Sequence, residues 1–156
     1  MLGMMEIDRI ADQISRGFNG DAWHGDPLMK ILDGVTAKQA AARPIEGAHS
    51  IWEILNHLST WRPAIVTRLS GKPAELSGKN DWPPVTDTSE TAWRNSLSEL
   101  RQRQEALLEA VRAFPENRLN DNAPNRDHSY YVMLQGIVQH DLYHAGQIAI
   151  LKKAAK

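Results

Sequence analysis

The chain has 156 residues, 42% of them hydrophobic and 24% charged, with a formal net charge of −1. That balance shows neither the basic footprint of a nucleic-acid binder nor an acidic tail, so no nucleic-acid partner is expected. The length suits one domain over residues 1–156, long enough to bury roughly two-thirds of the unfolded chain's surface.

Cysteine is absent. No disulfide supports the fold, no thiolate can act as ligand or nucleophile, and a reducing compartment fits. The N-terminal MLGMMEIDRIADQ lacks the basic region and long apolar run of a secretory signal. No window approaches the ~20 apolar residues of a spanning helix. The expected location is the cytoplasm, with no membrane partner. Met1, Met4 and Met5 offer alternative starts.

Helical patterning dominates. From Met5 to Phe18, the residues Ile7, Ile10, Ala11, Ile14 and Phe18 fall at three- and four-residue steps, the stripe of an amphipathic helix. FNGDAWHGDP then breaks the pattern with two glycines and a proline. A short helix is expected over Pro27–Leu32. Thr36 and Gln39 form a capping box for another short segment that stops at Pro44.

Ser50 and Glu53 form a second capping box, opening a long helix that runs to Leu69. Pro63 lies inside it and is expected to bend it without ending it, since Ile65, Val66 and Leu69 continue the stripe. A loop with two glycines and three prolines follows, SGKPAELSGKNDWPPVTD, long enough to suggest a lid. Asp87 and Glu90 are expected to cap the third long helix, striped by Trp93, Leu97, Leu100, Leu107, Leu108 and Val111. The last helix is expected over Ser129–Lys153 after a polar loop. No strand pair or hairpin turn is recognisable. The expected fold is all-α, a four-helix bundle with a broken crossover segment after helix 1 and a long loop between helices 2 and 3.

The chemistry lies in the histidines. Of the six, His24, His49 and His128 stand alone, and lone histidines are usually solvated or hydrogen-bonded. His140 and His144 are four residues apart, which puts their Cβ atoms about 5–6 Å apart on one helix face. Two imidazoles can then reach one ion at Zn–N distances of about 2.0–2.1 Å. Leu134, Ile137 and Ile148 share that stripe, so the face looks inward, where polar groups need partners. The pair either binds a metal or consists of two core histidines bonded to each other or to water.

His57, mid-way along the second long helix, can face that pair across a bundle. Three neutral imidazoles leave an ion its full charge and open coordination positions, suited to Lewis-acid work or to lowering the pKa of a bound water or thiol. HDLYH puts Asp141 where a zinc protease carries its base, but helical phase turns it about 100° from His140. Asp141, Glu53 and Gln147 are candidates for supporting the ligands rather than reacting; no catalytic residue is assigned. Trp23, His24 and Gly25 either line a pocket mouth, or Trp23 packs on the bundle end while His24 is solvated. Trp82 is either a lid residue or a packing plug. Arg62 and Arg126 are candidates for binding a carboxylate of a thiol cofactor, although arginines are mostly solvent-facing.

A histidine in the second long helix and HxxxHxxQ in the last, within AWHGDPL, ARPIEGAHSIWEILNHLSTWR and QGIVQHDLYHAGQIAILKKA, resemble the DinB-like superfamily of metal-binding bundles. It includes the YfiT-type proteins, regarded as metal-dependent hydrolases, and bacterial low-molecular-weight-thiol S-transferases. The resemblance implies a DinB/YfiT-like four-helix bundle, commonly a homodimer, with one divalent metal ion, zinc or nickel, held by His57, His140 and His144. It implies a metal-dependent enzyme acting on a small-molecule substrate, either as a thiol S-transferase using a low-molecular-weight thiol or as a small-molecule hydrolase. The alternative is a non-catalytic metal- or small-molecule-binding stress or sensor bundle, since no dedicated general base is evident. A plain helical interaction module is a third possibility.

Overall fold

The computed structural model describes residues 5–155; Met1 and Met4, two of the alternative starts, lie outside the described residues. Six α-helices run in order: α1 (Glu6–Asn19), α2 (Leu28–Leu32), α3 (Ala37–Ala41), α4 (Ile51–Leu69), α5 (Glu90–Ala113) and α6 (Tyr130–Ala154). Two 3-10 turns, Gly78–Asn80 and Glu116–Arg118, punctuate the loops. Among the described residues there is no strand, only the isolated bridge between Asn122 and Ser129, and no helix is long and apolar enough to cross a membrane. The fold is the expected all-α helical bundle.

The four long helices form the bundle. α1 packs against α5 and α6, and α4 packs against the same two. The broken crossover is α2, seated on α1 and α6, followed by α3 on α4 and α5. Both capping boxes form. Thr36 Oγ1 accepts the Gln39 amide at 3.2 Å while Gln39 Oε1 accepts the Thr36 amide at 3.1 Å. Ser50 Oγ and Glu53 repeat the exchange at 3.2 and 2.8 Å. An N-cap of this kind contributes about 1 kcal/mol. Pro63 sits inside α4, which continues to Leu69.

The cap of α5 differs from expectation. Ser89 is the N-cap, accepting the Ala92 amide at 3.1 Å. Asp87 accepts the Ser89 amide at 2.9 Å, and Glu90 accepts the Ala37 amide at 2.8 Å, tying α5 to α3. Serine wins because its short hydroxyl reaches the third amide from the cap position itself, freeing the longer Glu90 to reach across.

The apolar core is in two parts. One gathers Leu28, Trp52, Leu55, Leu58, Trp93, Leu100 and Ile148. The other gathers Ile7, Ile10, Ile65, Leu107, Val111, Leu134 and Ile137. On α4, α5 and α6 the boundary falls where His57, Arg62, Gln104, Asp141 and His144 are buried. A polar layer therefore crosses the middle of the bundle, and the site is built in it.

Candidate metal centre

α4 delivers His57, and α6 delivers His140 and His144 one turn apart. One ring nitrogen from each lies within 4.8 Å of the other two, and the three together can hold one metal ion. The Nε2 atoms of His57 and His140 are 2.9 Å apart. Two nitrogens on one ion with 2.0–2.1 Å bonds lie about 2.9–3.4 Å apart, depending on the angle between them. The ring centroids are 4.6–4.9 Å apart and the planes cross at 63°, 76° and 88°, so the rings fan around a common point.

The backs of two rings are held. His57 Nδ1 donates to Asp81, whose carbonyl oxygen and Oδ1 both lie 2.9 Å away. His144 Nδ1 donates to Gln147 Oε1 at 2.8 Å. Both partners only accept, so the proton is fixed on Nδ1 and the Nε2 lone pair turns to the centre. His140 Nδ1 is buried without a partner. Burial pushes the His140 imidazole down to about 3, and the facing His144, His57 and Arg62 add to the effect. Burial also lowers His144, against the hydrogen bond it donates to Gln147, which raises it. Neutral imidazole is the ligating form, and nitrogen donors of this kind suit zinc and nickel alike.

The loop between α4 and α5 closes over the site. Gly78, at φ +52°, takes a left-handed conformation that glycine adopts without strain, and the 3-10 turn it begins aims Asp81 and Trp82 inward. Asp81 Oδ1 also accepts from Trp61 Nε1 at 3.0 Å. Trp82 lies flat between two imidazoles, 3.9 Å from His57 at 5° and 3.7 Å from His49 at 8°. It is a plug stacked on the triad. Asp81 carries no periodic signal in the sequence; its only clue is the NDWPP context of a loop too long to be idle.

Of the residues expected to support the ligands, Gln147 alone bonds to one. Glu53 is engaged by the Ser50 amide, by Arg43 and by His49 at 3.6 Å. Asp141, fully buried, pairs with Arg62 at 2.7 Å; burial raises its carboxyl while Arg62 opposes the rise. Arg62, 0% exposed, also donates to Gln104 Oε1 and the Leu58 carbonyl, so it is not free to bind the carboxylate of a thiol cofactor. Trp23 is 102% exposed and His24 is exposed; Trp23 neither lines the site nor packs on the bundle end.

Cavities lie on both sides. One of about 540 Å³ has His140, Arg68 and Arg126 among its lining residues. The second, about 330 Å³, is bordered by His49 and Gln147. The model of the DinB superfamily matches residues 22–148, from ahead of α2 to within α6. The chain belongs to the DinB superfamily. All three histidines of this DinB-superfamily protein fall inside the matched span, and α1 lies outside it. No curated protein and no solved structure gives a significant match.

Proposed function

We propose that this DinB-superfamily protein is a metal-dependent enzyme that holds one divalent ion, zinc or nickel, on His57, His140 and His144 and transfers a small thiol to an electrophile. The observation that supports this is the triad itself: three imidazoles converge, two are held from behind, and no fourth His, Cys, Asp or Glu joins the group among the described residues. A structural zinc site is usually closed by four protein ligands; an open one leaves room for a reactant. A bound divalent ion supplies Lewis acidity that lowers the pKa of a thiol or water beside it.

The chain's own residues orient and exclude. Asp81 and Gln147 fix the ring tautomers, and Trp82 covers His57. The nearby carboxylates are engaged: Asp81 with His57 and Trp61, Asp141 with Arg62. No general base is free to activate water, which favours a thiol, acidic enough to ionise without one, over hydrolysis. In transfer the S–H bond breaks with its proton going to solvent. Sulfur bonds to the electrophilic carbon, and the leaving group departs with its electron pair.

The test is the metal content of the untagged protein and its His140→Ala variant, followed by a screen of thiols with electrophiles. About one equivalent of zinc or nickel, lost in the variant, with turnover only in the loaded protein, is expected. No metal after reconstitution overturns the reading. Metal without turnover favours the non-catalytic sensor instead. We further propose that the protein works in the cytoplasm as a homodimer, supported by exposed Val132, Tyr143 and Ile150 on one face of α6; sedimentation measures the assembly state.

A further inference from the structure

The larger cavity contains a buried cation with no counter-ion. Arg68 is 3% exposed, yet no carboxylate pairs with it among the described residues. Its Nε and Nη2 both donate to the Ala74 carbonyl, at 3.1 and 2.7 Å, and its guanidinium stacks 5.3 Å from the Trp61 ring centroid. Nη1 finds no partner among the described residues. The nearby Arg126 is neutralised by Glu75 at 2.5 Å, so the lining keeps an unbalanced positive charge at Arg68. Burying a lone charge is costly, and a bound anion relieves the cost.

The rest of the lining is mostly apolar, with Trp61, Ile65, Leu76, Met133 and Ile137, and it includes His128 and His140. Gly136 also lines it, and a Cβ placed there would meet nothing within 4 Å. The Tyr130 hydroxyl donates to the Arg68 carbonyl, which sets Arg68 level with the start of α6. Seven helical steps of α6, from Met133 to His140, rise about 10 Å.

We infer that this cavity holds the length of the substrate, and that the substrate is an elongated amphipathic carboxylate. Its carboxylate meets Arg68, its apolar middle lies along Trp61, Ile65 and Ile137, and its reacting end reaches His140. Guanidinium and carboxylate match as a fork, which makes the Arg68 end the reader of charge. This assignment rests on the proposed metal reading only for the identity of the reacting end; the anion site stands on the cavity.

Two probes separate the parts. Cobalt-loaded protein is titrated with mercaptooctanoate and with its neutral analogue mercaptooctanol, following the cobalt–thiolate absorption. Metal-free protein is titrated with octanoate by calorimetry. We expect the mercapto acid to bind at least about tenfold more tightly than the alcohol, a difference of ~1.4 kcal/mol. Arg68→Met should abolish that preference and weaken octanoate to the same extent. Gly136→Leu should block both thiols while leaving cobalt bound, and its helix propensity exceeds that of glycine, so a folding failure is not its expected outcome. Equal affinity for acid and alcohol in the wild type, or an acid preference untouched by Arg68→Met, overturns the inference. Failure of cobalt to bind, with octanoate still held through Arg68, sinks the metal reading and supports the anion site.

Discussion

Two polar clusters share the middle layer of this bundle and could hardly be more differently finished. Arg62, Asp141 and Gln104 form a charge-balanced set: a cation, an anion and an amide, with the pair at 2.7 Å and the amide oxygen at 2.8 Å, although Asp141 Oδ1 and Gln104 Nε2 find no partner among the described residues. Its charges cancel inside the protein. His57, His140 and His144 form an open set: three imidazoles that each bring one ring nitrogen to within 4.8 Å of the other two. Among the described residues no fourth His, Cys, Asp or Glu completes it. His140 and Asp141 are adjacent in sequence and belong to different clusters, because a helical step of about 100° turns one to the triad and the other to Arg62. Adjacent polar residues on one helix thus divide between holding the layer together and leaving it receptive.

The contrast is broken most severely from the closed side. Arg62→Met leaves Asp141 buried and unpaired and should cost about 3–5 kcal/mol in urea denaturation. Pairing it with Asp141→Leu should recover most of that, since an apolar pair of similar volume replaces the ions. A single variant within ~1 kcal/mol of wild type would show that the pair is not coupled.

The open side is sharpened by its supports. Asp81→Ala removes the carboxylate behind His57, leaving only the Asp81 backbone carbonyl as acceptor, and should weaken metal binding at least about tenfold in competition with a chelator. Metal-free stability should change less. Gln147→Ala removes a neutral acceptor and should weaken metal binding about tenfold. Unchanged affinity in both would remove ring orientation from the account.

A smaller effect is read by pH in the metal-free protein. Folded His140 and His144 sit below the ordinary histidine value, His140 at about 3. Below about pH 6.5 the unfolded chain therefore takes up protons that the folded chain refuses, and stability falls as pH falls. The melting temperature should drop between about pH 7.5 and 5.5, and His140→Ala should flatten that slope. A slope unchanged by the variant would show that His140 titrates normally in the fold.

What could be read in the sequence follows from what is local. Capping boxes at Thr36 and Ser50 need four residues, and both formed. His140 and His144 need one turn of helix, and adding His57 needs only that α4 and α6 be neighbours. The rest depends on distant chain. Asp81 and Trp82 reach the triad because a loop folds back from the far end of α4, a path no periodicity records. Leu58, Ile65 and Leu69 flank Arg62 at helical steps, an apolar stripe that runs against the expectation of a carboxylate-binding or solvent-facing arginine there. The partner of Arg62, 79 residues away, could not be read from that stripe.

Trp82 lies against His57 like a page against its neighbour, and Trp61 donates to the same Asp81 that holds that ring. The site therefore carries its own optical reporter. A paramagnetic ion such as cobalt, loaded onto the triad, should quench the emission of these two indoles strongly, while Trp23, fully exposed and outside the polar layer, continues to shine. Occupancy can then be followed in real time with no label added to the protein.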